Sequence, residues 1–134
     1  MPKPGDVIEG HGGFRLELIQ TGAETDGELL VMDASYRGAT GPPPEHLHPR
    51  HDERFEVLEG TVRTVIGGAE RVYEAGERFD VPAGTPHRVS AQGPARMRWE
   101  VRPALRTAEF FERLYGGAAD DGFLEQFAEE IRFT

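Results

Sequence analysis

Four of the five histidines fall in two short stretches, with one carboxylate close beside them. The first stretch reads His46-Leu47-His48-Pro49-Arg50-His51-Asp52-Glu53-Arg54-Phe55, and the second reads Pro82-Ala83-Gly84-Thr85-Pro86-His87. Imidazoles and carboxylates suit a divalent transition ion such as Fe, Mn, Ni, Zn or Cu. The chain has no cysteine, which removes thiolate metal sites, disulfides and cysteine nucleophiles. Residues two apart on a strand point to one face, so His46 and His48 aim together. Glu53 shares its face with the apolar Phe55 and Val57, where an unpaired carboxylate is costly and a cation removes the cost. His87 shares its face with Val89. Taken alone, the first stretch fits a surface cluster as well as a metal site.

The elements around these residues read as short strands separated by Gly and Pro. Phe14 to Leu18 alternates apolar and polar, and Leu29 to Tyr36 reads as a second strand. Gly41-Pro42-Pro43-Pro44 cannot be helix or central strand, because proline fixes φ and lacks a donor. It forms a rigid loop leading into His46. Phe55 to Leu58, Val62 to Ile66 and Arg71 to Tyr73 follow, with Gly67-Gly68 as a hairpin signal. Phe79 and Val81 share a face, as do His87, Val89 and Ala91, and then Met97, Trp99 and Val101. Many short strands with frequent turns and no intervening helix predict an all-β sandwich or barrel. After Pro103 the pattern becomes helical. Thr107 is placed to cap a helix that ends near Gly116-Gly117, and a second helix is expected from about Asp121 to Ile131. Both are expected to cover the barrel or a subunit contact, with no direct part in a site.

Composition narrows the function classes. The 134 residues suit one domain, and 37% hydrophobic residues can form a core. A net charge of −9 makes a nucleic-acid partner a poor guess. No apolar run is long enough for a bilayer, which needs roughly 20 residues, and the N-terminus has no apolar signal segment. The cytoplasm is the expected location, with no membrane partner. No phosphate-loop, serine-elbow or dinucleotide motif is present.

The order of spacings adds a resemblance. His46-x-His48, four residues, Glu53, six residues, Gly60 is similar to the first motif of the cupin family. Gly76, five residues, Pro82-x-Gly84, two residues, His87 is similar to the second. Two departures stand out. Gly41 lies one residue closer to His46 than the pattern asks, and Ala91 stands where Asn is usual. The resemblance covers roughly residues 14–101. It implies a jelly-roll (double-stranded β-helix) barrel over about 14–102 and a C-terminal pair of short α-helices over about 104–133, all in one domain, 1–134. It also implies that His46, His48, Glu53 and His87 hold one divalent ion, that small cupins are commonly homodimers, and that several chemistries remain open.

By strand parity the pocket wall would include Phe55, Val57, Thr64, Val89, Met97 and Trp99. An apolar mouth around one charged centre suits a small aromatic or enolisable molecule. Three readings follow: a metal-dependent oxygenase of dioxygenase type, a metal-dependent isomerase or lyase in which Glu53 also moves a proton, and a non-catalytic binding or sensing module. His51 and Asp52 read as an exposed bend in preference to groups orienting an imidazole. His11, alone in a glycine-rich arm, reads as solvated.

Overall fold

The computed structural model describes residues 2–117, 120 and 122–134. Eleven strands build two antiparallel sheets: β1 Val7–Glu9, β2 Arg15–Gln20, β3 Leu30–Tyr36, β4 His46–Leu47, β5 Asp52–Glu59, β6 Thr61–Ile66, β7 Ala69–Glu74, β8 Arg78–Val81, β9 His87–Ala91, β10 Ala95–Arg102 and β11 Arg132–Phe133. One sheet has the order β1-β2-β3-β10-β5-β8 and the other β11-β4-β9-β6-β7. The fold is a jelly roll of two facing sheets. Its apolar faces come from strict alternation. On β5, Glu53, Phe55 and Val57 are buried while Asp52 and Arg54 are exposed.

Two core clusters fill the interior. Leu16, Leu18, Leu30, Met32 and Val101 form one, and Phe55, Val57, Val62, Phe79 and Met97 form the other. Tyr36 and Trp99 touch both. The turn from β5 to β6 depends on Gly60. Its φ is +79°, and a Cβ there would lie 2.2 Å from the carbonyl oxygen of Pro94.

The C-terminal segment differs from the sequence expectation. Helix α1 spans Thr107–Tyr115, but Arg106 occupies the cap position and Thr107 is buried in the first turn. The second helix is a single turn, α2 Phe123–Gln126, and not a helix reaching Ile131; Asp121 lies outside the described residues. The four-residue spacing of Phe123, Phe127 and Ile131 is real. It is satisfied by all three packing on Phe110 in a third cluster, without a continuous helix. The amides of Glu130 and Ile131 both bond to the Phe127 carbonyl, a tight turn that ends the helical path. The chain then enters β11, which pairs with β4.

Candidate metal centre

Each ligand candidate is delivered by a different part of the second sheet or its neighbour. His46 begins β4 and pairs directly with His87 at the start of β9. His48 lies just beyond β4, and Glu53 is the second residue of β5. The rings of His46 and His87 are 4.4 Å apart, and each lies 5.0 Å from that of His48. One nitrogen from each of these three rings falls within 4.8 Å of the others. The Glu53 Oε1 atom sits 3.1 Å from His48 Nε2 and 3.1 Å from His87 Nε2. The three imidazoles converge, and Glu53 touches two of them, His48 and His87.

The hydrogen bonds behind the rings set their chemistry. His46 Nδ1 faces the Pro44 carbonyl at 3.0 Å, His48 Nδ1 the Glu130 carbonyl at 2.8 Å and His87 Nδ1 the Thr85 carbonyl at 2.9 Å. A carbonyl only accepts, so each Nδ1 carries the proton and donates. The neutral ring then turns a bare Nε2 lone pair forward, the form that binds metal. On His48 and His87 that lone pair meets the Glu53 Oε1 lone pairs. Two buried acceptors at contact repel unless a cation lies with them. His48 Nε2 and Glu53 Oε1 are both buried with no hydrogen-bond partner among the described residues. This donor set fits a divalent ion, and a proton on His48 is the substitute when no ion is bound.

The electrostatics agree. Burial pushes His46 down to about 4, so it stays neutral at neutral pH. Burial also opposes charge on His48, but the Glu53 carboxylate outweighs it and raises that imidazole. Glu53 is only 2% exposed, and burial opposes its charge; the neighbouring His48 and His87 imidazoles outweigh burial and hold it well below the usual carboxylate range. Its other oxygen, Oε2, accepts a 2.8 Å bond from Trp99 Nε1.

A cavity of about 380 Å³ opens from this cluster. Of the wall residues expected by strand parity, Phe55, Val89 and Trp99 line it. Val57, Thr64 and Met97 do not. They are buried instead, Val57 and Met97 within the second core cluster. The rest of the wall was not evident from the strands. Phe110, Phe111, Leu114 and Tyr115 of α1 line the cavity, as do Ile131 and Phe133, so the C-terminal helix contributes to the site and does more than cover the barrel. Phe111 meets Trp99 edge-on at 5.4 Å. The sequence signal was present in the aromatic stripe of α1, but nothing in one chain says which core a stripe faces. Among the described residues, no lysine or arginine lines the cavity.

Three further residues need correction or comment. His51 is 1% exposed, not on an exposed bend. It stacks on His48 at 4.3 Å, both its ring nitrogens lack hydrogen-bond partners among the described residues, and burial pushes it down to about 4. It also forms a second possible ligand group with His48 and Glu53. Its neighbour Asp52 is exposed as expected and accepts a bond from the Ala83 amide. His11 is exposed, yet it stands at the cavity rim, edge-on to Tyr115 at 6.0 Å. Ala91 is bonded to Thr40, whose hydroxyl accepts from the Ala91 amide while its own amide donates to the Ala91 carbonyl.

Comparison with known proteins adds the family. The family profile for the cupin domain matches residues 36–101. No functionally curated protein matches the sequence significantly. Among solved structures, an RmlC-like cupin from Shewanella frigidimarina is similar, with a TM-score of 0.66 and 20% identity over 78% of this chain and 88% of that one. KdgF from a Halomonas species matches with a TM-score of 0.64 and 20% identity, over 73% of this chain and 86% of that one. The nucleoside dehydratase Pac13 from Streptomyces matches with a TM-score of 0.61 and 18% identity, over 77% and 79%. At such identities the likeness speaks for the fold. Spacing, sheet topology and profile agree, and residues 36–101 form a cupin domain.

Proposed function

We propose that this cupin is a metal-dependent oxygenase of dioxygenase type acting on a small aromatic or enolisable substrate. One observation carries the reading: an aromatic-walled cavity without lysine or arginine converges on bare imidazole lone pairs and a buried carboxylate. His46, His48, His87 and Glu53 would hold one divalent ion such as Fe, Mn, Ni, Zn or Cu. When bound, such an ion orients substrate oxygens and dioxygen and stabilises developing negative charge. The chain's own residues do the rest. Phe55, Trp99, Phe110 and Phe111 take a flat apolar ligand and exclude water. Trp99 fixes the carboxylate. A substrate carrying several negative charges finds no lysine or arginine among the described wall residues.

The test is oxygen consumption by protein loaded with Fe(II), Ni(II) or Cu(II) against a panel containing a flavonol, a β-diketone and a thiol. Uptake that depends on both metal and substrate supports the reading. Product formation without oxygen uptake overturns it in favour of an isomerase or lyase. That second reading has an observation of its own. Tyr36 lines the cavity, and burial, with Tyr115 and Glu53 nearby, raises its phenol and keeps the proton on it, so it would offer a hydrogen bond to a substrate oxygen on which negative charge develops. Tight ligand binding with no turnover at all would favour a sensing module. We also take the protein to be a cytoplasmic homodimer of one-domain chains, and a single monomeric boundary in sedimentation velocity would refute the dimer. No helix among the described residues is long and apolar enough to cross a membrane.

A further inference from the structure

The segment from Phe127 to Thr134 is tied into the ligand cluster at several points. The Glu130 carbonyl accepts from His48 Nδ1 at 2.8 Å, across a sequence separation of 82 residues. Two residues further on, β11 pairs with β4 so that Phe133 lies opposite His46 and Arg132 opposite Leu47. Thr134 bonds through its amide to the Glu45 carbonyl and through its hydroxyl to Glu45 Oε1. Ile131 and Phe133 line the cavity.

This segment has its own anchor. The Glu130 side chain is 3% exposed, and a carboxylate so placed needs partners. Its Oε2 accepts from the Arg106 amide at 3.2 Å, and its Oε1 lies 3.4 Å from Arg106 Nη2. The same guanidinium bonds to the Gln126 carbonyl and lies over the Phe127 ring at 4.6 Å. Arg106 thus fastens the segment to the start of α1, and the segment holds the ring of His48.

We propose that Glu130, clamped by Arg106, is a positioning residue for His48: its carbonyl keeps the proton on Nδ1 and turns Nε2 toward the ion. His46 and His87 need no such help, because their carbonyl partners, Pro44 and Thr85, lie two residues away on the same loop. His48 alone draws its partner from a distant part of the chain. Orienting partners of this kind are worth roughly 10–100-fold in metal affinity. The magnitude of that effect rests on the metal reading above, whereas the tautomer does not.

The experiment uses metal-free, 15N-labelled full-length protein and its variants Glu130→Ala and Arg106→Met. Long-range 1H–15N spectra report which nitrogen of each histidine carries the proton. Titration with Zn(II) or Co(II) gives the affinity. In the wild type, His46, His48 and His87 should all be Nδ1-protonated when neutral. In both variants His48 should become a tautomer mixture while the other two are unchanged, and metal affinity should fall about 10–100-fold. The Arg106→Met variant keeps the Glu130 side chain and guards against misfolding of Glu130→Ala. His48 remaining Nδ1-protonated in both variants, or a changed tautomer with unchanged affinity, would overturn the proposal. If the wild type binds no divalent ion, the metal reading fails, and the tautomer spectra still decide the positioning role.

Discussion

Replacing Trp99 by Phe isolates one bond in the site. Trp99 stacks on Phe55 at 5.3 Å and meets Phe111 at 5.4 Å, contacts that a phenyl ring largely keeps. What it loses is the Nε1–H donor, 2.8 Å from Glu53 Oε2. A hydrogen bond to a charged, buried acceptor contributes about 1.5–3 kcal/mol, and its loss leaves Oε2 without a donor. The metal-free variant should therefore lose about 2 kcal/mol. For a chain of this size, about 4 °C per kcal/mol gives a fall in Tm of about 8 °C. Metal affinity should drop about 10-fold or more, since the freed carboxylate no longer holds one orientation. Calorimetry and Zn(II) titration measure both. The decisive control is a double-mutant cycle with Glu53→Leu, because Trp99→Phe should cost much less when no acceptor is present. Equal costs in the two backgrounds would refute the reasoning, since the loss would then be packing alone.

Other outcomes follow from the same structure. His51 is held at about 4 when folded against 6.5 ordinarily, so the unfolded chain takes up a proton first as pH falls. Its contribution, like that of His46, lowers metal-free stability between about pH 6.5 and 4, while the raised His48 acts in the opposite sense, contributing stability at low pH that is lost as pH rises through its folded value. His51→Leu should gain about 2 kcal/mol on the wild type between pH 7.5 and 4.5 in urea denaturation, and should still bind metal; loss of binding would make His51 a ligand in place of His46. Gly60→Ala forces a Cβ onto the Pro94 carbonyl and should cost about 2 kcal/mol or more by the same assay. Saturating the protein with metal at about 100 times Kd should add about 2.7 kcal/mol that a chelator removes, and an unchanged melting curve would count against a bound ion. Thermal unfolding should be one cooperative transition if residues 1–134 form one folding unit.

Much of this protein was legible in its sequence, because the information was local. Alternation of period two on β5 places Glu53 inward beside Phe55 and Val57, and the motif spacings name His46, His48, Glu53 and His87 before any contact is seen. The strands failed as a guide where the answer depended on packing. Parity puts Val57 and Met97 on the same face as Phe55 and Trp99, but only the packed structure shows that Phe55 and Trp99 reach the cavity while Val57 and Met97 stay in the core. His51 shows a similar limit, since a polar residue after a proline bend reads as exposed until the fold buries it against His48. The largest gap was the role of residues 107–134. Their apolar stripe was plain, and its partner was not, because a helix stripe records that something is buried and not against what. The residue types and spacings determined a barrel with a nitrogen and oxygen ligand set. Tertiary packing decided the rest: Glu130 behind His48 and Trp99 behind Glu53 are contacts between residues 82 and 46 positions apart, and α1 joins the cavity wall, none of which a local pattern encodes.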